Sequence, residues 1–141
     1  GMHIQMLLHA DKHIEGIAAD IRALPVPLVI DHCGWPTDLA ADTPAIDTLC
    51  VLLAEGQIYV KLSAPYRLSD DIARVAPLMR RLLDANPDHC LWGSDWPHIM
   101  LADARMPHAA QLADTVSDIT TSQERQKIFV TNPDSLFASS G

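Results

Sequence analysis

Aromatic residues are scarce in this chain: Phe, Trp and Tyr together make up 5% of its 141 residues. Packing must therefore rest on aliphatic side chains. Bases are scarce too, with 10 Lys and Arg against 18 Asp and Glu and a net charge of −8. They do not gather on any stretch, and the nearest thing to a cluster is Arg80-Arg81. A nucleic-acid partner would require a basic face, so that class of function is excluded. The three cysteines, Cys33, Cys50 and Cys90, are odd in number, widely spaced and without a CxxC pair. They fit inert thiols in a reduced cytoplasmic protein. No apolar run approaches the roughly 18 residues that cross a membrane. The N-terminal stretch has no basic region leading into an apolar segment and cleavage site, so no signal peptide is expected.

What the chain does have is a core. Its hydrophobic fraction is 48% and its charged fraction only 20%, a balance that folds rather than stays disordered. Residues 1–141 are expected to form a single domain, since no linker or low-complexity stretch divides them. Apolar runs and helical stripes alternate along it. His3 to Leu8 reads as a strand. Ile14, Ile17, Ala18, Ile21 and Leu24 fall at helical spacing. Leu28-Val29-Ile30 reads as a second strand. Thr43-Pro44 suits a helix start, with Thr as cap and Pro in the first turn, and Ile46, Leu49, Cys50 and Leu53 stripe the helix up to Gly56. Ile58 to Leu62 is a third strand. A third helix is striped by Ile72, Val75, Met79, Leu82 and Leu83. His89 to Trp92 is the fourth strand. Thr121-Ser122-Gln123-Glu124 fits a capping box, and Pro133 opens a last turn carrying Leu136 and Phe137.

This βαβαβαβα alternation predicts an α/β fold of parallel strands with right-handed helical crossovers. Parallel strands are covered on both faces, which suits their near-continuous apolar character. Polar groups collect where the strands run out: Asp31-His32, then Ser63 to Arg67, then Asp95 to His98. In parallel α/β folds, sites form at the carboxyl ends of strands. Asp31 and His32 are neighbours on a strand end, so their side chains are expected to point in opposite directions. Lys61 lies within a strand and is costly to bury unpaired.

The segments "VIDHCGWP", "YVKLSAPYRLS" and "LWGSDWPH", closing with "NPDSLF", together resemble the amidohydrolase-2 family, and within it the 2-pyrone-4,6-dicarboxylate lactonase group of TIM-barrel hydrolases. The resemblance covers about Met2 to Phe137. It implies a parallel (β/α)4 half of a TIM barrel with an additional C-terminal helix, matching the last four strands of the family's eight. The family's first strand often carries an HxH metal-binding pair, and no HxH occurs here. Two raw sheet edges would then invite pairing, which points to a homo-oligomer covering the open sheet.

The resemblance implies roles for particular residues. Asp95 matches the general base that activates water; desolvation is expected to raise its basicity. His32 matches a pocket histidine that polarises the carbonyl or holds a metal. Both are read as catalytic. Arg67 matches an arginine that grips a substrate carboxylate through paired hydrogen bonds, and Tyr66 and His98 join it as substrate-binding groups. Leu7 stands where relatives often have His or Tyr, and Trp35 where many have Arg. His9 could replace the group missing at Leu7 only if the strand end is rearranged. Trp92 is read as packing.

The implied function is hydrolysis of a lactone or ester of a small carboxylated compound. Two alternatives stand beside it: a catalytically inactive half-barrel that requires a partner chain, and a Zn-dependent decarboxylase of the same superfamily. Zn²⁺ normally takes three or more convergent protein ligands. His32 and Asp95, with His9 or His98, make a thin set, so no tightly held metal or other cofactor is expected.

Overall fold

The computed structural model describes residues 2–99 and 107–138. Four strands form one sheet in the order β1-β2-β3-β4, each parallel to its neighbour. They are β1 (Ile4–Met6), β2 (Leu28–Ile30), β3 (Ile58–Ser63) and β4 (Cys90–Gly93). The crossovers are α1 (Ala10–Arg22), α2 (Pro44–Ala54) and, between β3 and β4, the short α3 (Pro65–Leu68) followed by α4 (Ala76–Ala85). After β4 come α5 (Ala109–Ser117), α6 (Ser122–Gln126) and α7 (Asn132–Phe137). The parallel α/β alternation read from the sequence is therefore the observed architecture.

Register divides the strands into two faces. Met6, Ile30, Val60 and Cys90 lie side by side across the sheet and pack towards the helices. Ile14 and Ile21 of α1, Ile46, Leu49 and Leu53 of α2, and Leu78, Met79, Leu82 and Leu83 of α4 meet them in the main core. Each such Leu or Ile, fully buried, contributes about 1.5–3 kcal/mol. Cys33, Cys50 and Cys90 are buried free thiols within this layer. Trp92 stacks on Phe129 with ring centres 5.2 Å apart, so it fills core. On the opposite face Val29 and Leu91 are buried with Leu136 of α7, and Tyr59 packs against them.

Local signals set the element ends. The Thr43 side chain accepts from the Ile46 amide at 3.3 Å, capping α2. Gly56 follows α2 with φ 74°, a left-handed turn that glycine adopts without cost. Thr121 and Glu124 close the capping box of α6 on each other.

Three boundaries differ from expectation. β1 is three residues rather than six, because Leu7 has already left the ladder and is exposed. β4 begins at Cys90, since Pro87–His89 form a 3₁₀ turn after Asn86 accepts from the Asp88 amide. The third helix is broken: Ile72–Val75 is a 3₁₀ turn and the α-helix starts at Ala76, with Pro77 in its first turn. Among the described residues no helix is long and apolar enough to cross a membrane.

Candidate active site

Three strand exits build the site. Each turns sharply out of its strand, and the turns share a backbone signature. Among the described residues the non-glycine positions with positive φ are His32 (53°), Cys33 (55°) and Trp35 (37°) after β2, Ala64 (50°) after β3, and Asp95 (59°) and His98 (56°) after β4. An L-residue in this region costs of order 1 kcal/mol or more, and such residues cluster where function needs a particular side-chain direction. Here they swing His32, Tyr66, Arg67, Asp95 and His98 towards one another.

Asp95 is the hub. Its Oδ2 accepts from Arg67 Nε at 2.7 Å and from the Tyr66 phenol. Its Oδ1 lies 3.5 Å from His32 Nε2. Tyr66 Oη is also 3.1 Å from His98 Nδ1, and His98 is buried. His32 Nδ1 meets Ser63 Oγ at 2.8 Å, both side chains out of solvent. A Ser63 hydroxyl donating to Nδ1 leaves the Nε2 proton facing Asp95. Arg67 Nη2 donates to the Ile99 carbonyl at 2.8 Å, and its guanidinium lies 5.3 Å from the Tyr66 ring centre and 6.0 Å from that of Trp35.

Charge follows geometry. Burial pushes the Asp95 carboxyl up, as expected, but the bonds from Tyr66 and Arg67 outweigh it and hold the group below the usual carboxylate value. The expectation that desolvation would leave Asp95 a stronger base is thus corrected: it is held ionised and is a weaker one. Burial pushes His32 down, more than the nearby Asp95 and Asp31 charges pull it up, which keeps the ring neutral near pH 7. The Tyr66 phenol is pushed up to about 12, by burial and by its bond to Asp95. It therefore stays a donor.

All five residues singled out in the sequence meet in this cluster. Two details differ from expectation. Two of the five Arg67 N–H donors are bonded inside the protein, and Arg67 lines a cleft other than the cavity that His32 and Asp95 share. Asp31 does not point away from His32. β2 ends at Ile30 and His32 adopts a left-handed turn, so both side chains line one cavity of about 330 Å³ with Gln5, Lys61, Ser63 and Asp95. Asp31 there accepts from Gln5 Nε2 at 2.9 Å and pairs with Lys61 Nζ at 3.1 Å. His9 instead precedes α1, its Nδ1 2.9 Å from the Trp35 carbonyl oxygen.

Ser63 carries no role in the sequence reading, although it stands next after Leu62 in "VKLS". Counting alternate positions along β3 from Tyr59 through Lys61 reaches Ser63, on the face opposite the helices. That count was the available signal.

Among the described residues no group of three or more His, Cys, Asp or Glu side chains converges in a way that could hold a metal. His32 and Asp95 meet, but Asp95 Oδ2 is already bonded to Tyr66 and Arg67. The donor set among the described residues does not fit a metal.

Comparison with known proteins agrees with the geometry. The amidohydrolase family model, amidohydrolase-2, matches residues 1–138. The chain is 37% identical over 135 residues to the 4-sulfomuconolactone hydrolase of Hydrogenophaga intermedia, covering 91% of this chain and 44% of that protein. It is 34% identical over 129 residues to the 2-pyrone-4,6-dicarboxylate hydrolase of Comamonas testosteroni, covering 82% of this chain and 42% of that one. A crystal structure from Agrobacterium tumefaciens superposes with a TM-score of 0.83 at 23% identity, over 98% of this chain and 51% of that one. The chain thus spans about half the length of the relatives it matches. Strand order, the cluster at the strand exits and these similarities agree, and the chain belongs to the amidohydrolase-2 family.

Proposed function

We propose that this chain carries the reaction centre of a hydrolase acting on a lactone or ester of a small carboxylated compound. The observation that supports it is the cluster itself: His32, Tyr66 and Arg67 converge from two strand exits onto the carboxylate of Asp95 at a third, with His98 against the Tyr66 phenol. Relatives named as lactone hydrolases share its sequence over most of its length.

In this reading Asp95 Oδ1, the oxygen not held by Tyr66 and Arg67, takes a proton from water as that water attacks the ring carbonyl. His32, neutral and braced by Ser63, offers its Nε2 proton to the carbonyl oxygen, where negative charge develops. The acyl–oxygen bond then breaks. The proton held on Asp95 passes to the departing alkoxide, and the product is an open hydroxy acid. Tyr66 and Arg67 hold Asp95 in place, and His98 fixes the Tyr66 phenol. Two separate acts are needed, proton removal and carbonyl polarisation, and two groups on different strands supply them.

The test is turnover of a generic lactone or aryl ester by the purified protein, with Asp95→Asn beside it. Loss of activity in the variant supports the assignment; equal rates in the two proteins defeat it.

We further propose that a second chain lies against the open side of the sheet. Among the described residues β1 and β4 each have one edge without a neighbouring strand, and Ile4 and Leu7 are exposed beside the first. Solution mass by light scattering tests this: a mass of at least two chains is expected, and a monomer at working concentration rejects it.

A further inference from the structure

A carboxylated substrate must put its acid group somewhere, and Arg67 is poorly placed to receive it from the reaction-centre cavity. That arginine is tied to Asp95 and Ile99 and lines a different, larger cleft, of about 720 Å³, with Thr37, Ser69 and Arg74. The cation that lines the 330 Å³ cavity together with His32 and Asp95 is Lys61.

Lys61 projects from β3 on the face it shares with Val29, Tyr59 and Leu91, which pack with Leu136 of α7. An ammonium group in such a place is expensive unless paired, and a buried ion pair is seldom kept for stability alone. Asp31 pairs with it at 3.1 Å and is itself held on its other oxygen by Gln5 at 2.9 Å. An ammonium has three donors, so a single contact to Asp31 aims the group and leaves further donors for the cavity.

Gly93 supplies a second, independent observation. It is not in the left-handed region, so its backbone does not require glycine. A Cβ there would stand 3.4 Å from Ser63 Cβ and 3.8 Å from Lys61 Cδ. The space beside Gly93 is bounded by the Ser63 side chain and the Lys61 stem, so a larger residue would press on Ser63 and crowd the lysine.

We propose that Lys61, aimed by Asp31 and uncovered by Gly93, binds the carboxylate of the substrate while the scissile carbonyl sits between His32 and Asp95. The proposal rests on the lactone-hydrolase reading and specifies how its substrate is recognised. It makes Lys61 a binding residue and leaves Arg67 to position Asp95.

The test measures binding rather than turnover, so that the two ideas can fail separately. Butyrate and its neutral isostere butyramide are titrated by calorimetry into the 141-residue chain, Lys61→Met and Gly93→Val. Wild type is expected to prefer butyrate by about tenfold or more, the worth of one charge-assisted hydrogen bond. Lys61→Met is expected to erase that preference while butyramide still binds, and Gly93→Val, which keeps the charge but crowds it, to erase it too. A preference that survives Lys61→Met overturns the proposal, as does a wild type that binds the acid and the amide alike. If Lys61→Met does not fold, by circular dichroism, Gly93→Val decides on the same criterion. A preference lost with Lys61, in a protein whose lactone turnover is unaffected by Asp95→Asn, would keep this inference and remove the catalytic one.

Discussion

The Tyr66 phenol and the Arg67 guanidinium, neighbours in sequence, donate to the same oxygen of Asp95. Both bonds favour the ionised carboxylate, and together they outweigh its burial. Removing one should let burial show. In Tyr66→Phe the Asp95 carboxyl is expected to rise, and the acid limb of the pH–rate profile to move to higher pH. An acid limb unchanged in Tyr66→Phe would mean that Asp95 is not the group that must be ionised.

Arg67 makes two bonds that a lysine cannot copy at once, from Nε to Asp95 and from Nη2 to the Ile99 carbonyl. Arg67→Lys keeps the charge and loses the geometry. A fall of about tenfold or more in kcat, with less change in KM, is expected where one charge-assisted bond is lost from a positioned group. A change confined to KM would instead return Arg67 to substrate binding.

Ser63 and His32 satisfy each other out of water. Ser63→Ala leaves Nδ1 buried without its partner, which costs about 1–3 kcal/mol. Thermal or urea unfolding should show that loss together with a lowered kcat. Unchanged stability would show that the ring finds another partner or turns.

Glu124 tests electrostatics away from the site. Its carboxyl is held down to about 2, first by the Arg80 guanidinium and then by the Thr121 amide. A depressed folded value means stabilisation that is complete above the ordinary value of 4.5 and lost as pH falls from there to about 2. Glu124→Gln should therefore unfold more easily at pH 6 and resemble the parent near pH 2. Because the pair is partly exposed, added salt should shrink the difference.

Much of this was readable in the chain. The helical stripes of Ile14, Ile46 and Leu82, the Thr43 cap and the Thr121 box all act locally, and local rules placed them. The alternation of strands and helices then fixed parallel pairing and so put three polar exits on one rim. What escaped was set by contacts between segments far apart in sequence. The Asp31 direction failed because strand alternation ends with β2, and the next residue turns left-handed. The Asp95 basicity failed because desolvation could be anticipated from the motif, whereas two donors arriving from α3 could not. The bond between Ser63 and His32 escaped because the two lie 31 residues apart.

In this sheet, spatial order repeats chain order: β1, β2, β3, β4. Each β/α unit docks on the one made just before it, so assembly can proceed vectorially as the polypeptide is synthesised, with mostly short-range closures. The Asp95 carboxylate sits on the fourth of these units, and its partners wait on the two before it. Closure of the cluster is thereby deferred: a nascent or partly folded chain holds the histidine, the phenol and the guanidinium, but acquires the group that joins them only when the fourth strand closes onto the third.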